Sequence, residues 1–521
     1  MSDISELLRK GKAENDYFTS NLAVVKLELS EWTESQVLID MEEADRYYNF
    51  ENDIRNKKRL YLDKDRIERE NKTLSNVKIA SPIYRKIIKG NLNFAFGKDF
   101  IISVEYVGDG EQTETTTKLA EQYERELLKI VDSDFREQVT LTGNYAIRSG
   151  IGYSFVDINE DGKLVIYSTP SKTIIPQFKD EETRKKLAHI IRRYPFVIYD
   201  GDKKINIFKI EFYDDQIVER FIEGAAGIIP DVDENGNNIS FHLTRKKRDG
   251  QVVENIGWGK VPFLFMKGQE DEKPLLKSIK GHVDAQDILE SKTMDTLIDN
   301  TEGIIVIITN GAADIEDQQQ LRRDLVENGI LVLSNVNDVK ILKNEIDIKG
   351  YLEKKEDTDK TILKNGNFVD IRDLKSVGNV SGIVLKYLYQ DLDTDTNELE
   401  TQFRIYFRDF KYFFDKYLEM NKIGNVKQWS DYEINVTLNR DMMVNVDEVI
   451  KQLDILDGKV SQETLDNWNP AVDDHITEQR RREAEAKERE EKEQEARNQI
   501  EMLYQKTQET QEQEELGNND Q

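Results

Sequence analysis

Two acidic stretches of the sequence have the residue types and spacing of calcium ligands. Their candidate ligands are Asp157, Asn159 and Asp161 in DINEDG and Asp231, Asp233 and Asn235 in DVDENG. An EF-hand loop also needs a bidentate glutamate at its twelfth position, where these stretches have Ser168 and His242. Both stretches lie between strand-like runs, where Asp/Asn-Gly marks a hairpin turn, so we interpret them as turns rather than calcium sites.

The other residue types that commonly carry chemistry are absent or scattered. The chain has no cysteine, which excludes thiolate metal sites and cysteine nucleophiles. Its histidines fall in four different predicted segments, whereas a metal site needs clustered ligands; they are His189, His242, His282 and His475. The patterns G-x-x-x-x-G-K-[ST], G-x-G-x-x-G and G-x-S-x-G do not occur. We therefore predict no catalytic residues, no metal and no other cofactor.

A glycine- and serine-rich stretch, SVGNVSGIVLKYLYQ at residues 376–390, runs without a proline into a helical pattern. Apolar residues then recur every three or four positions, which predicts one long amphipathic helix. They are Leu385, Leu388, Leu392, Leu399, Phe403, Tyr406, Phe410, Phe413 and Tyr417. Glycine gives the backbone before this helix conformational freedom. The sequence therefore predicts a flexible segment at the head of a rigid helix.

The chain is strongly acidic, with 521 residues and a formal net charge of −28. It lacks the basic footprint of a plain duplex-DNA binder, and an acidic surface repels polyanions. The longest aliphatic run, Ile304 to Ile308, is far shorter than the ~20 residues of a membrane span. The N-terminus has no apolar core of signal-peptide length. We therefore expect a soluble protein with no membrane partner.

Helical and strand-like patterns fall into separate blocks, which predicts an α+β protein. Residues 31–95 read as helical, with a break at Ser81-Pro82, and residues 100–265 read mainly as strands. No proline lies between Pro274 and Pro470, which allows long helices. This region predicts a helix, a strand–helix–strand unit, a polar helix and then the long helix. The first of these helices has an apolar face made of Leu276, Ile279, Val283, Leu289 and Leu297.

The order of these segments resembles the portal proteins of tailed double-stranded DNA bacteriophages, over about residues 40–475. The motif NVKIASPIYRKIIKGNLNFAFGKDFIISVE is similar to the family's helix that ends in aromatic-x-x-Gly-Lys and enters a strand. GNYAIRSGIGYSFVDINEDGKLVIYSTPSKTIIPQF follows its hairpin and Pro-Ser turn, and GKVPFLFM resembles the strand before its stem. SVGNVSGIVLKYLYQ resembles the Ser-Gly-x-x-Leu-Lys segment that begins the long helix after the tunnel loop.

The resemblance implies a portal fold in nine regions. They are an N-terminal arm (1–30), the first part of a mixed α/β wing (31–274), a stem helix (275–303), a small α/β clip (304–343), a second stem helix (344–365), a tunnel loop (366–382), the long helix and closing strands of the wing (383–443), a helical crown (444–506) and a disordered tail (507–521).

The resemblance also implies two functional surfaces. The tunnel loop would border DNA through Lys364, Gly366, Asn367, Arg372, Lys375, Gly378, Asn379 and Gly382. Its cations could instead pair with Asp370 and Asp373 nearby. The clip would bind the packaging machinery through Asp314, Glu316, Asp317, Arg322 and Arg323. The alternative for these five residues is a plain surface salt-bridge face.

The implied function is a ring of about twelve subunits at one capsid vertex, which serves as the channel for DNA packaging and ejection. The implied partners are the terminase large subunit, the head-completion adaptor, scaffolding and major capsid proteins, and weakly contacted double-stranded DNA. The protein would be made in the host bacterial cytoplasm and end in the virion. The alternatives left open are another oligomeric virion scaffold and an unrecognised enzyme.

Overall fold

The fold mixes helices and strands, as the sequence predicts: about half of the chain is helical (52%) and 22% is strand. The computed structural model describes residues 20–517 except 63–66, 73, 111–112, 201–202, 225–226, 235, 247–251, 300–303, 310–329, 335–337, 343–347, 370–381, 425, 441–445, 470–471 and 473–474. Among the described residues, no helix is both long and apolar enough to cross a lipid bilayer.

The N-terminal block is less helical than its sequence suggests. It contains helices α1 (Leu22–Thr33), α2 (Gln36–Tyr48) and α3 (Ile83–Phe96), with a short antiparallel pair, β1 (Leu60–Leu62) and β2 (Glu68–Glu70), between α2 and α3. The break before Pro82 is confirmed, but the expectation of helix is wrong for the described residues between 57 and 80. Residues 75–81 are not helical because their backbone N–H groups bond to side chains of a distant helix, described below.

Two helices then pack on a strand-rich region. They are α4 (Glu114–Ile130), which begins at a Thr113–Thr116 capping box, and α5 (Ser133–Ser149), whose N-cap Asp132 accepts from Phe135 N–H. One strand, β3 (Ile101–Tyr106), precedes these helices. The strands after them are β4 (Ile151–Ile158), β5 (Leu164–Thr169), β6 (Ile174–Phe178), β7 (Leu187–Asp200), β8 (Lys203–Tyr213), β9 (Ile217–Gly224), β10 (Gly227–Pro230), β11 (Ile239–Phe241), β12 (Leu243–Lys246), β13 (Val252–Ile256) and β14 (Phe263–Lys267).

These strands form antiparallel sheets. One has the order β10-β9-β8-β7-β6 with β11 beside β9, and another has the order β14-β4-β5. β12 pairs with β13, and β3 pairs with a late strand, β18 (Tyr432–Thr437). β7 joins two runs that look separate in the sequence. Pro195 is tolerated inside β7 because that part of the strand pairs on one side only, with β8.

Along the chain, one long helix precedes a small sheet and another follows it. They are α6 (Leu276–Asp299) and α7 (Ile348–Asn365), and between them lie β15 (Ile304–Thr309), β16 (Ile330–Ser334) and β17 (Asp338–Leu342). β15 pairs in parallel with β16 and antiparallel with β17. The two helices contact each other: Gln286 Nε2 donates to Asp359 Oδ1 (2.6 Å), and Lys355 pairs with Glu290 (2.7 Å).

The longest core helix is α8 (Gly382–Met420), as the periodicity predicts. Its aromatic side chains from Phe403 to Phe414 lie in a large buried cluster, against α4, α5 and the β14-β4-β5 sheet. Phe407, outside the predicted stripe, is fully buried and packs edge-on against Phe100 and Phe403 at ring-centroid distances of 5.5 and 5.0 Å. The buried face is therefore wider than a strict three-four spacing suggests.

Three short helices follow, α9 (Val426–Trp429), α10 (Val446–Leu456) and α11 (Gln462–Trp468), and then a 43-residue helix, α12 (His475–Gly517). Arg482 of α12 makes two hydrogen bonds of 2.8 Å to the buried Asp466 of α11. α12 continues to Gly517, through most of the segment expected to be disordered from residue 507. The physical reason is that glutamate and glutamine favour helices, and no glycine or proline interrupts them before Gly517.

Candidate functional site

The candidate site is the segment expected to form a loop between α7 and α8. Of its eight predicted residues, Lys364 lies in the last turn of α7, Gly366 and Asn367 follow that helix, and Gly382 is the first residue of α8. Arg372, Lys375, Gly378 and Asn379 lie outside the described residues, as do the five predicted clip residues, Asp314, Glu316, Asp317, Arg322 and Arg323.

The α7 end of this segment is closed by a regular helix stop. Phe368 N–H donates to Leu363 C=O (2.9 Å), and Asn367 N–H donates to Lys364 C=O (3.1 Å). Asn367 has a φ of +48°, in the left-handed region. This combination is a Schellman motif, which satisfies the last carbonyls of a helix. The chain therefore enters the predicted loop in a defined direction.

Gly366 packs closely against α3. It is buried, and its carbonyl accepts from Asn91 Nδ2 of α3 at 3.3 Å. A Cβ added at this position would lie 2.9 Å from Ile87 Cδ1 and 3.2 Å from Ile362 C=O. The close approach of α3 therefore leaves little room for a side chain at this position. The left-handed residue at this helix end is Asn367, and the expectation that Gly366 contributes freedom to the loop stays a prediction.

The residues after Gly366 are held by α3 and by the first half of α8. Asn367 donates through Nδ2 to Asp395 Oδ2, and burial raises the pKa of Asp395 above its ordinary value. Val369 packs beside Phe94 and Leu392, while the Phe94 and Tyr389 rings stack with centroids 5.5 Å apart. Residues 366–369, which we call the root of the loop, therefore connect the helix before the loop to the helix after it.

We expect the Asn367 substitutions to separate the backbone requirement from the Asp395 contact. Asn367→Gly keeps the left-handed conformation and loses the hydrogen bond, which should cost roughly 1 kcal/mol. Asn367→Val loses both, since a β-branched residue in this region adds about 1–2 kcal/mol. Hydrogen exchange of a peptide covering residues 360–369 should rise much more in the valine variant. Equal exchange in the two variants would contradict the helix-stop interpretation.

Three cationic side chains lie beside this root, and the sequence did not predict their position. Arg85, Lys86 and Lys89 lie on α3, next to Phe368. They are about 280 positions away from the loop along the chain, so no local pattern could have linked them to it. The Lys86 Nζ lies 5.3 Å from the centroid of the Phe368 ring.

A row of hydrogen bonds joins α6 to segment 75–81, and the sequence did not predict it either. Side chains at every fourth position of α6 accept the backbone N–H groups of every second residue in segment 75–81. The donor and acceptor pairs are Ser75 with Asp299 (3.1 Å), Val77 with Asp295 (2.7 Å), Ile79 with Ser291 (3.0 Å) and Ser81 with Asp287 (2.8 Å). Four helical residues rise about 6.0 Å and two extended residues about 6.6 Å, so the two repeats stay in register.

This row, the 75–81 ladder, corrects the apolar face predicted for α6. Leu276, Ile279 and Val283 are buried as expected, but Leu297 is 38% exposed. The stripe that begins at Val283 continues four residues later at Asp287, which is 1% exposed, and proceeds along the polar acceptors. Asp287 also accepts from Asn52 Nδ2 at 2.6 Å. The four-residue spacing of Asp287, Ser291, Asp295 and Asp299 was the available signal.

The acidic stretches expected to form turns do so. In DINEDG, Asn159 Oδ1 accepts from the N–H groups of Asp161 and Lys163, and Gly162 has a φ of +79° between β4 and β5. In DVDENG, Asp233 Oδ1 accepts from Asn237 N–H, and Gly236 has a φ of +83°. These side chains satisfy their own backbone, as Asx turns do.

Comparison with known proteins gives two matches. Residues 33–497 match the family model described as "Phage portal protein, SPP1 Gp6-like". The chain is also similar to the portal protein of Bacillus phage SPP1, with 27% identity over 443 residues, which cover 84% of this chain and 82% of that protein.

Proposed function

The chain belongs to the SPP1 Gp6-like family of phage portal proteins, and we propose how its regions perform that role. As a portal protein it is a structural component of the virion and not an enzyme. It forms a homo-oligomeric ring at the capsid, through which DNA is packaged and ejected. This assignment replaces the two alternatives left by the sequence, an unrelated scaffold and an unrecognised enzyme.

In this proposal α6 and α7 are the stem, residues 304–343 the clip and residues 366–382 the tunnel loop. The wing comprises residues 31–274 and 383–443, the crown residues 444–506, and residues 1–30 are an arm outside them. The observation that best supports this division is that α6 and α7 contact each other and that a small mixed sheet lies between them along the chain. The root of the proposed loop follows directly and is held by α3 and α8.

We propose that the clip binds the terminase large subunit during packaging and the head-completion adaptor afterwards. Its candidate contacts are Asp314, Glu316, Asp317, Arg322 and Arg323. Scaffolding and major capsid proteins would contact the outside of the ring, and the chain would be synthesised in the host cytoplasm. Twelve subunits are the expected number.

The charge of the chain supports passage of DNA rather than tight binding. Each phosphate neutralised by a cation adds affinity through counterion release, and high affinity would stall translocation. A subunit with a net charge of −28 repels DNA over most of its surface. Contact would then be limited to the few cations near the loop, such as Lys364, Arg372 and Lys375.

The first experiment is native mass spectrometry of the purified full-length chain, with negative-stain imaging. We expect closed rings of about twelve subunits with a central hole wide enough for duplex DNA. A dimer that stays a dimer over a hundredfold range of concentration would contradict the proposed ring and with it the channel.

A further inference from the structure

A groove with several cations lies at the root of the proposed tunnel loop. It is formed by one face of α3 and by the Phe368 ring, which packs over Gly90 so closely that a Cβ there would lie 1.9 Å from Phe368 Cε2. Its lining residues include Phe50, Arg85, Lys86, Lys89 and Asn93. Lys86, Lys89 and Asn93 are exposed, and Arg85 is half-buried. We call this surface the α3 groove.

The positive charges of the groove are supported by aromatic rings. The Arg85 guanidinium lies 5.1 Å from the centroid of the Tyr48 ring and 5.2 Å from that of Phe50. Lys86 Nζ lies over Phe368. A cation held by an aromatic face is oriented but not neutralised, so it keeps its charge and its N–H donors for a ligand.

Within the described part of the chain, Arg85, Lys86 and Lys89 have no carboxylate partner at ion-pair distance. Other cations near the core do: Lys280 pairs with Asp53 and Asp284 at 2.7 Å each, and Lys355 pairs with Glu290. Acidic side chains are abundant in a chain with a net charge of −28. A groove lined by cations and no carboxylate is therefore a positive patch on a negatively charged protein.

The position of the groove indicates what would occupy it. Phe368, one wall of the groove, lies near the start of the proposed tunnel loop (366–382), and exposed Lys364 lies one turn earlier on α7. If residues 370–382 border the channel, the groove lies at the base of the part that approaches DNA. Mobile ammonium groups and an exposed amide suit the phosphodiester backbone, which is contacted without base recognition.

We propose that the α3 groove contacts the phosphate backbone of double-stranded DNA at the base of the tunnel loop, through Lys86, Lys89 and Arg85. This inference rests on the proposed function. It adds a second, rigid contact beside the loop itself, carried by a helix that is packed into the core through Tyr84, Ile87 and Ile88. Two lysines per subunit give a weak contact that depends strongly on salt and does not hold DNA in place.

A direct test is photo-cross-linking in assembled, DNA-filled heads. A photoreactive phenylalanine analogue replaces Lys86 or Lys89 in the full chain, and the matched control replaces Lys118, an exposed lysine on α4. We expect DNA cross-links from positions 86 and 89 and none from position 118. Cross-links from 86 and 89 to protein alone would overturn the inference and identify an acidic partner instead.

The same experiment separates this inference from the proposed function. The photoreactive residue at Lys375 reports on the tunnel loop. Cross-links at 375 without any at 86 and 89 would overturn the groove and leave the channel assignment standing. No DNA cross-link at any of the three positions in full heads would overturn both.

A charge-removal series gives an independent measurement. The K86Q/K89Q double variant should bind a short DNA duplex more weakly at low salt, and the slope of log affinity against log salt should fall by about 1–2 units. The K118Q/K129Q control removes the same charge from α4, where both lysines already pair with glutamates. Equal slopes for wild type and K86Q/K89Q rings, with ring assembly intact, would refute the contact.

Discussion

Proline at position 378 or 382 is expected to abolish DNA packaging while leaving the ring assembled. The physical reason is that proline fixes φ near −65° and restricts the preceding residue, so a loop that must change its conformation loses that freedom. Gly382 is the first residue of α8, and proline is tolerated in the first turn of a helix. Gly382→Pro should therefore spare the long helix and the aromatic core that it carries.

The measurement is the length of packaged DNA in heads assembled with each variant, together with ring formation by negative-stain imaging. Gly378→Ala and Gly382→Ala are the matched controls, because alanine leaves the backbone much freer than proline does. We expect normal packaging with alanine and empty heads with proline. Packaged genomes of normal length in both proline variants would contradict a loop whose movement is needed for translocation.

Removal of the Asp287 carboxylate should cause a large loss of stability. Asp287 is almost fully buried and accepts hydrogen bonds from Ser81 N–H (2.8 Å) and Asn52 Nδ2 (2.6 Å). Asp287→Ala leaves both donors without this acceptor, at about 1–3 kcal/mol for each one that stays unsatisfied. We therefore expect the free energy of unfolding to fall by roughly 2–5 kcal/mol and segment 75–81 to exchange its amide hydrogens faster.

The control for this prediction is Asp357→Ala on α7. The Asp357 side chain is 66% exposed and pairs with the equally exposed Lys354, so its loss should leave the stability almost unchanged. Urea unfolding and hydrogen exchange of segment 75–81 measure both variants. If the two alanine variants unfold at the same urea concentration, the 75–81 ladder does not stabilise the position of α6.

Asp287 should also make stability depend on pH. Burial raises the pKa of Asp287 from 3.8 to about 6, so the folded chain holds this proton more tightly than the unfolded chain does. The resulting stabilisation is complete below pH 3.8 and is lost as the pH rises through 6. Asp287→Asn cannot titrate, so the stability of wild type relative to this variant should fall by roughly 2–3 kcal/mol between pH 4 and pH 7. If the difference in stability between wild type and Asp287→Asn is the same at pH 4 and pH 7, the pKa of Asp287 is not raised in the folded chain.

Much of the fold was predictable from local patterns. The spacing from Leu385 to Tyr417 predicted α8, and the strand-like runs and the Asp/Asn-Gly turns predicted most of the hairpins. The two helices that flank β15–β17 were also expected near their observed bounds. These predictions succeed because helical and strand periodicity are properties of neighbouring residues, which the order of the sequence records directly.

The candidate site was only partly predictable. Glycine content suggested freedom at Gly366, but it did not show that Ile87 approaches this position closely. The sequence predicted only an apolar face for α6, and its polar residues at every fourth position bond to backbone groups of a segment more than 200 positions away. The sequence shows which residues are present, but it does not show which residues they contact.

The sequence by itself therefore determined the helices, most strands, the turns, the acidic charge and the resemblance to portal proteins. Only the tertiary structure decided that Asn367 bonds to Asp395 of α8, that Asp287 is a buried acceptor and that Arg85, Lys86 and Lys89 lie beside Phe368. Each of these depends on a contact between segments far apart in the chain. Such contacts depend on how whole elements pack, and the spacing of residues within one element cannot specify that.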